Sequence, residues 1–174
     1  MNSNKKKIYV LDTSAILSGK PINFENNKII TSQGVSKELK PGGRDYTSFQ
    51  YLIEKGLSIQ IPKKESINKI NEIVAKTGDA NRLSKTDIEI LALAYELNKN
   101  SEKLVTIITD DYSIQNIANY LDIKFETINQ KGITKRFKWI NRCQGCGKKF
   151  KDDINICPIC GAETKKIVAK KQEI

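Results

Sequence analysis

The sequence predicts an α/β sandwich of about 130 residues, a parallel sheet covered by helices on both faces, followed by a small cysteine-rich module. Three observations carry this. Short β-branched runs alternate with segments of helical period as far as residue 128. One of these runs, "LVTIIT" at 104–109, is apolar without alternation, as in a strand buried on both faces. All four cysteines fall after residue 142, as two C-x2-C pairs.

The elements follow in order. "IYVL" (8–11) reads as a strand and leads through "DTS" into a short helix. "KIIT" (28–31) is the second strand, followed by a helix from about Gln33 to Leu39 that Pro41-Gly42-Gly43 stops. "RDYTSFQYLIEKG" sets Tyr46, Phe49, Leu52 and Ile53 at helical spacing and ends on Gly56. "LSIQIP" alternates as a strand, and "ESINKINEIVAKTG" puts Ile67, Ile70, Ile73 and Val74 on one helical face before a closing glycine. After the polar loop "TGDANR", "LSKTDIEILALAYELN" is rich in Ala and Leu all round and predicts a largely buried helix. "YSIQNIANYLD" is the next helix and "IKFETI" the next strand. From Gly132 the style changes to basic and aromatic residues. The expected organisation is a main domain over 1–130, a basic, aromatic linker over 131–142, and a cysteine module with a basic tail over 143–174, its last residues "IVAKKQEI" a solvated end.

Composition narrows the chemistry. At 39% hydrophobic and 29% charged residues the chain is globular, and no apolar run approaches a membrane span. The N-terminus lacks the apolar segment of a secretory signal, so a cytoplasmic protein with no membrane partner is expected. Net charge is +10, and most of the excess lies at the end: residues 1–130 hold 18 basic and 16 acidic side chains, residues 131–174 hold 12 and 4. Such a segment attracts polyanions, of which nucleic acid is the commonest. Histidine is absent, which excludes Ser-His-Asp and Cys-His triads, His-pair ribonuclease chemistry and His-ligated zinc.

Cys143-x2-Cys146 and Cys157-x2-Cys160 have the spacing of a four-thiolate zinc site. Each pair is followed by a glycine, Gly147 and Gly161, suited to a turn in which backbone N–H groups approach the sulfurs. Two disulfides or a redox pair are the alternatives, and the absence of an export signal disfavours them. A closed site of four thiolates folds a piece too small to have a core and does no catalysis. The surrounding Arg142, Lys148 and Lys149 keep the module basic, as a nucleic-acid contact requires. In the linker, Phe137 and Trp139 would share one face of an extended strand, with Arg136 and Lys138 on the other. Base stacking with phosphate contact is one use of them; packing on the main domain is the other, and the commoner for aromatics in a junction.

Carboxylates supply the remaining signal. Asp12 ends the first strand, Glu38 lies in "VSKELK", Asp87 in "LSKTD", and Asp110 with Asp111 ends "TIIT". Singly, each has an ordinary explanation: Asp12 as a helix cap, Glu38 as a solvated helix residue, Ser84-x-x-Asp87 as a capping box. Together they differ, because Asp12 and Asp110/Asp111 lie at carboxyl ends of strands, where open parallel sheets bind ligands. Four or five converging carboxylates without histidine call for Mg²⁺ or Mn²⁺, ions that activate water and stabilise the leaving oxygen of a phosphodiester.

These motifs resemble those of the PIN-domain nucleases: "LDTS" around Asp12, the helical Glu38, Asp87 before an Ala/Leu-rich helix, and "TDD" at 109–111. By spacing Asp111 takes the fourth acidic position, while Asp110 shares or replaces that role. With "TGDANRLSKTDIEILALA", "TDDYSIQNIA" and "RFKWINRCQGCGKKF...CPICG", the chain is similar from Ile8 to about Ala162 to the short archaeal form of the Nob-one family of ribosome-assembly endonucleases. The resemblance implies a PIN-like sandwich followed by a zinc ribbon that contacts rRNA. It implies Mg²⁺- or Mn²⁺-dependent cleavage of pre-16S rRNA at the mature 3′ end, on the small-subunit precursor, leaving a 3′ hydroxyl and a 5′ phosphate. It also implies a KH-domain assembly partner. A toxin-type PIN ribonuclease acting on tRNA or mRNA, and a non-catalytic rRNA-binding assembly factor, are the alternatives.

Overall fold

The computed structural model describes residues 7–79, 82–100, 104–128 and 135–173. Five strands, β1 (Lys7–Leu11), β2 (Lys28–Ser32), β3 (Ser58–Gln60), β4 (Leu104–Ile108) and β5 (Lys124–Glu126), form one sheet in the order β3-β2-β1-β4-β5, with every pair parallel. Six helices connect them: α1 (Thr13–Leu17), α2 (Gln33–Glu38), α3 (Arg44–Glu54), α4 (Lys64–Thr77), α5 (Lys85–Asn100) and α6 (Tyr112–Tyr120). Each agrees with the sequence expectation to within about two residues, the ordinary uncertainty of an element's ends.

Burial explains why these runs became strands. Ile29, Ile30, Thr31 and Ser32 are buried in succession, as are Val105, Thr106 and Ile107. Successive strand residues point to opposite faces, so unbroken burial means both faces of the sheet are covered. Helix α5 supplies much of the cover: Ile90, Leu91, Ala92, Leu93 and Ala94 are all buried, which a one-sided amphipathic helix could not achieve. Helix α4 buries Ile70, Ile73 and Val74 and leaves Ile67 half-buried. No helix among the described residues is long and apolar enough to cross a membrane.

The strand order places the functional end. The chain runs outward from β1 through β2 to β3, then returns to the other side of β1 for β4 and β5. Connections from β1 and β4 therefore leave in opposite directions, opening a crevice at their carboxyl ends.

A second, antiparallel sheet contains β6 (Lys135–Cys143), β7 (Lys149–Phe150) and β8 (Thr164–Glu173) in the order β7-β6-β8. Two expectations change here. Residues 135–142, read as a linker, are the central strand of this sheet, and the "solvated end" is part of β8, paired with it along nearly its whole length. A register shift beside Lys138/Trp139 places the extra residue on β8. Backbone hydrogen bonding needs no apolar pattern, so a lysine-rich segment can be a strand without announcing it in sequence.

Candidate active site

Leu11 and Ile108 are register partners, so the residues that follow them emerge side by side in the crevice. Asp12 is the N-cap of α1: its Oδ1 accepts the Thr13 N–H at 2.7 Å, and its Oδ2 accepts the hydroxyls of Ser14 and Thr109, both at 2.9 Å. Its residue surface is only 5% exposed. Burial raises its pKa above the usual carboxylate value and the charge of Asp111 adds to this, against the lowering effect of the Thr109, Ser14 and Thr13 donors. A carboxylate placed so needs either a proton or a cation.

The other acids arrive from separate elements. Glu38 closes α2, and the Thr13 hydroxyl donates to its Oε2 at 2.7 Å, tying it to the start of α1. Asp87 forms the reciprocal capping box with Ser84, accepting the Ser84 N–H at 2.6 Å while its own N–H reaches Ser84 Oγ at 3.1 Å. Burial again raises its pKa, and Asp12 and Asp111 raise it further. The cap and the acidic site are thus not alternatives at Asp87, for one side chain serves both.

Asp110 and Asp111 separate clearly. Asp110 Oδ1 accepts the Ile128 N–H at 2.8 Å, fixing the chain as it leaves β5. Asp111 caps α6, accepting the N–H groups of Ser113 at 2.6 Å and Ile114 at 3.4 Å, and its charge is felt by both Asp12 and Asp87. Thr109 joins the two sides: its hydroxyl donates to Asp12 and accepts the Asp111 N–H at 3.0 Å. The positioning hydroxyls of Thr13, Ser14 and Thr109 were visible in "DTS" and "TDD", but only the fold shows which acid each one holds.

The fold therefore gathers Asp12, Asp87 and Asp111, with Glu38 linked through Thr13. Among the described residues only the four cysteines have ligand atoms all within 4.8 Å of one another. An all-oxygen donor set of mutually repelling acids suits Mg²⁺ or Mn²⁺.

The cysteines form a tighter site. Sγ of Cys143 lies 3.3 Å from that of Cys160, and Sγ of Cys146 lies 3.7 Å from that of Cys157. N–H groups of Gly145 and Cys146 point at Cys143 Sγ at 3.3 and 3.4 Å. The Cys146 N–H leads in lowering the Cys143 thiol to about 6, which prepares a thiolate ligand. Gly147 and Gly161 have φ of +75° and +73°, as their turns require. The four sulfurs are compatible with a zinc ribbon.

This module rests on the main domain. The Arg82 guanidinium lies 3.9 Å from the Trp139 ring centroid, a cation–π contact. Gly78, the left-handed C-cap of α4, lies so close to Trp139 that a Cβ there would stand 2.7 Å from the Trp139 carbonyl oxygen. Lys166 Nζ donates to the Gly78 carbonyl at 3.1 Å and pairs with Asp153 at 3.3 Å. Trp139 thus ties the junction down. Side chains of Arg136, Phe137 and Lys138 lie outside the described residues. Arg142, Lys148 and Lys149 are exposed, and across the sheet Lys149, Arg142 and Lys165 are direct neighbours. Three cations side by side repel one another unless a polyanion faces them.

A family model described as the PIN domain of ribonuclease matches residues 9–97, which include Asp12, Glu38 and Asp87. The chain belongs to the PIN-domain ribonucleases. Within them it is 37% identical to Endoribonuclease Nob1 of Archaeoglobus fulgidus, over 90% of this chain and 89% of that protein. Endoribonuclease Nob1 of Pyrococcus abyssi is 34% identical, over 94% of this chain and 95% of its own. Ribonuclease VapC1 of Thermoplasma acidophilum is 39% identical, over 96% of this chain and 81% of its own. These similarities extend well past the PIN segment, so they take in Asp110, Asp111 and cysteine-bearing sequence that the family model leaves out.

Proposed function

We propose that this PIN-domain ribonuclease is a Mg²⁺- or Mn²⁺-dependent endoribonuclease that matures the 3′ end of 16S rRNA. The observation that carries the reading is the likeness, at 34–37% identity over nearly the whole chain, to four archaeal proteins named Endoribonuclease Nob1. Asp12, Glu38, Asp87 and Asp111 hold the catalytic ion. Asp110 takes a positioning part through Ile128 rather than an equal share in the metal site. When bound, the ion supplies a nucleophile from water and stabilises charge on the phosphodiester. The hydroxyls of Thr109, Ser14 and Thr13 keep the carboxylates aimed into the crevice, and the Thr109, Ser14 and Thr13 donors to Asp12 partly offset the burial that raises its pKa.

Zn²⁺ on Cys143, Cys146, Cys157 and Cys160 fixes the second sheet. Arg142, Lys148 and Lys149, with Arg136 and Lys138 on the same strand as Arg142, then meet pre-16S rRNA in the small-subunit precursor. A cytoplasmic location and a KH-domain assembly partner belong to the same reading. One relative carries the name Ribonuclease VapC1, which keeps a ribonuclease acting on tRNA or mRNA as the second reading. Four relatives named Endoribonuclease Nob1, each matched over 90% or more of this chain, favour the first.

The test is incubation of the zinc-loaded protein with RNA spanning the small-subunit 3′ boundary, in Mn²⁺, in Mg²⁺ or with neither added, beside Asp12→Asn. A single metal-dependent cut near the boundary is expected, absent in the variant while RNA affinity stays within about twofold. Equal cutting by Asp12→Asn would remove the acidic site from the mechanism. Preference for tRNA or mRNA over the boundary RNA would transfer the protein to the second reading.

A further inference from the structure

A large cleft lies apart from the acids. It measures about 1100 Å³ and sits between α1, α3 and the segment 19–25, with Ala15 and Ile16 on one wall and Tyr51 and Leu52 on the other. That is at or above the upper end of the roughly 300–1,000 Å³ typical of small-molecule sites, so a chain of linked units fits it better than a compact metabolite. Ala15 and Ile16 follow Asp12 by about one helical turn. A smaller cleft of about 270 Å³ shares Ala15, Lys20, Pro21, Ile22 and Asn23 with it and reaches Leu11, Ile108 and Ile128. Those three residues adjoin the acids, since Leu11 precedes Asp12, Ile108 precedes Thr109, and Ile128 donates to Asp110. The two clefts share these five lining residues, and together they run from beside the ends of β1 and β4 to the far side of α1.

The lining chemistry has two parts. Tyr51 is 57% exposed at the mouth, with Lys55 Nζ 5.4 Å from its ring centroid and half-buried Phe24 among the lining residues. Lys20, Arg44 and Lys55 line the cleft with Glu25 the one acid among the residues that line it, and Lys20 donates to the Ile128 carbonyl where the two clefts meet. An exposed aromatic face with cations spaced around it is the pairing that holds single-stranded nucleic acid, bases stacked on the ring and phosphates on the cations. Structural packing alone explains Leu52 and Phe24, but not an exposed tyrosine set beneath a lysine.

We propose that this cleft binds the single-stranded RNA flanking the scissile phosphate, with a base on Tyr51 and phosphates on Arg44, Lys55 and Lys20. The proposal rests on the chain's action on RNA and adds to it a second contact surface, on the nuclease domain itself and distinct from the cysteine module. It places the strand along α1, so that only unpaired RNA on that side of the cut is a good substrate.

The test uses the full zinc-loaded chain and two readouts: binding of a fluorescent single-stranded RNA with no Mg²⁺ or Mn²⁺ added, and cleavage of boundary RNA in Mn²⁺. Tyr51→Ala should weaken binding about tenfold and raise KM with little change in kcat, while Tyr51→Phe, which keeps the ring, restores both. Arg44→Ala with Lys55→Ala should flatten the logarithmic salt dependence of binding by about 1.4. These residues are exposed, and unchanged Tm values would show that the variants fold. If all variants bind and cut like the parent while Asp12→Asn does not cut, the cleft is not an RNA site, the nuclease reading stands, and a protein partner becomes its occupant. If no RNA is cut by any form but Tyr51→Ala still loses binding and Tyr51→Phe does not, the cleft assignment holds and the nuclease reading fails.

Discussion

The cysteine module and the acidic crevice, the two candidate metal sites of this molecule, are built on opposite principles. In the cysteine module all four sulfurs come from two short turns, N–H groups of the first approaching Cys143, and among the described residues Cys143 and Cys157 alone from this part of the chain join the buried hydrophobic residues. At the sheet end the four carboxylates come from four elements, each held by a hydroxyl or N–H of the chain, above a core that runs from Ile8 to Ile123. On the proposed reading, zinc organises the first region. The other is organised by its fold and then offers charge to an ion, which is why burial and like charge raise the pKa of Asp12 and Asp87.

That contrast can be broken most directly by removing zinc. Binding energy in small four-cysteine modules is folding energy, on the order of 10 kcal/mol, so a strong chelator should unfold the second sheet. Limited proteolysis should then cut within 135–173 while the main domain stays resistant. Resistance of both parts would show that contacts with the core, not the ion, hold the module. Removal of Mg²⁺ or Mn²⁺ should leave both parts folded and stop only the chemistry.

A smaller effect is expected within the acidic site, and it divides two neighbours. Asp111→Asn should lower the cleavage rate by about 100-fold or more, the scale of losing a charge-stabilising group. Asp110→Asn keeps an oxygen to accept the Ile128 N–H and should cost less than about threefold. Similar losses in the two variants would mean that Asp110 shares the ion.

Smaller again is the tie between the regions. Gly78→Ala puts a Cβ at φ +81° and 2.7 Å from the Trp139 carbonyl oxygen, strain of about 1–3 kcal/mol. It should lower Tm by a few degrees and blur the cut over neighbouring positions without reducing the maximal rate at the main site. A sharp cut in that variant would show that the module's seat does not set the distance between RNA binding and cleavage.

Much of this was legible in one dimension. Periodicity, β-branched runs and glycine stops located all five strands of the parallel sheet and its helices, because burial on both faces leaves a mark on every residue of a strand. The cysteine spacing specified a site because two C-x2-C turns can meet at few other things than a metal. "DTS", Glu38, Asp87 and "TDD" marked candidate acids at strand ends and helix starts, and the fold brings Asp12, Asp87 and Asp111 within electrostatic reach of one another. The sheet that β6 and β8 belong to was not read, because the alternation of Phe137 and Trp139 marks an extended segment without naming its partner, and lysine-rich β8 carries little apolar alternation.

What the sequence determined alone is therefore local: which residues are acids, thiolates and hydroxyls, and which stretches of backbone hold them. The tertiary structure decided that Asp110 accepts the Ile128 N–H while Asp111 caps α6 within electrostatic reach of Asp12 and Asp87, that Trp139 anchors the module under Arg82, and that Tyr51 lines a cleft beside α1. These facts depend on elements far apart in the chain meeting at fixed distances. A residue's chemistry is written at its own position, but the field, burial and hydrogen-bond partners that give it a task are supplied by residues dozens of positions away.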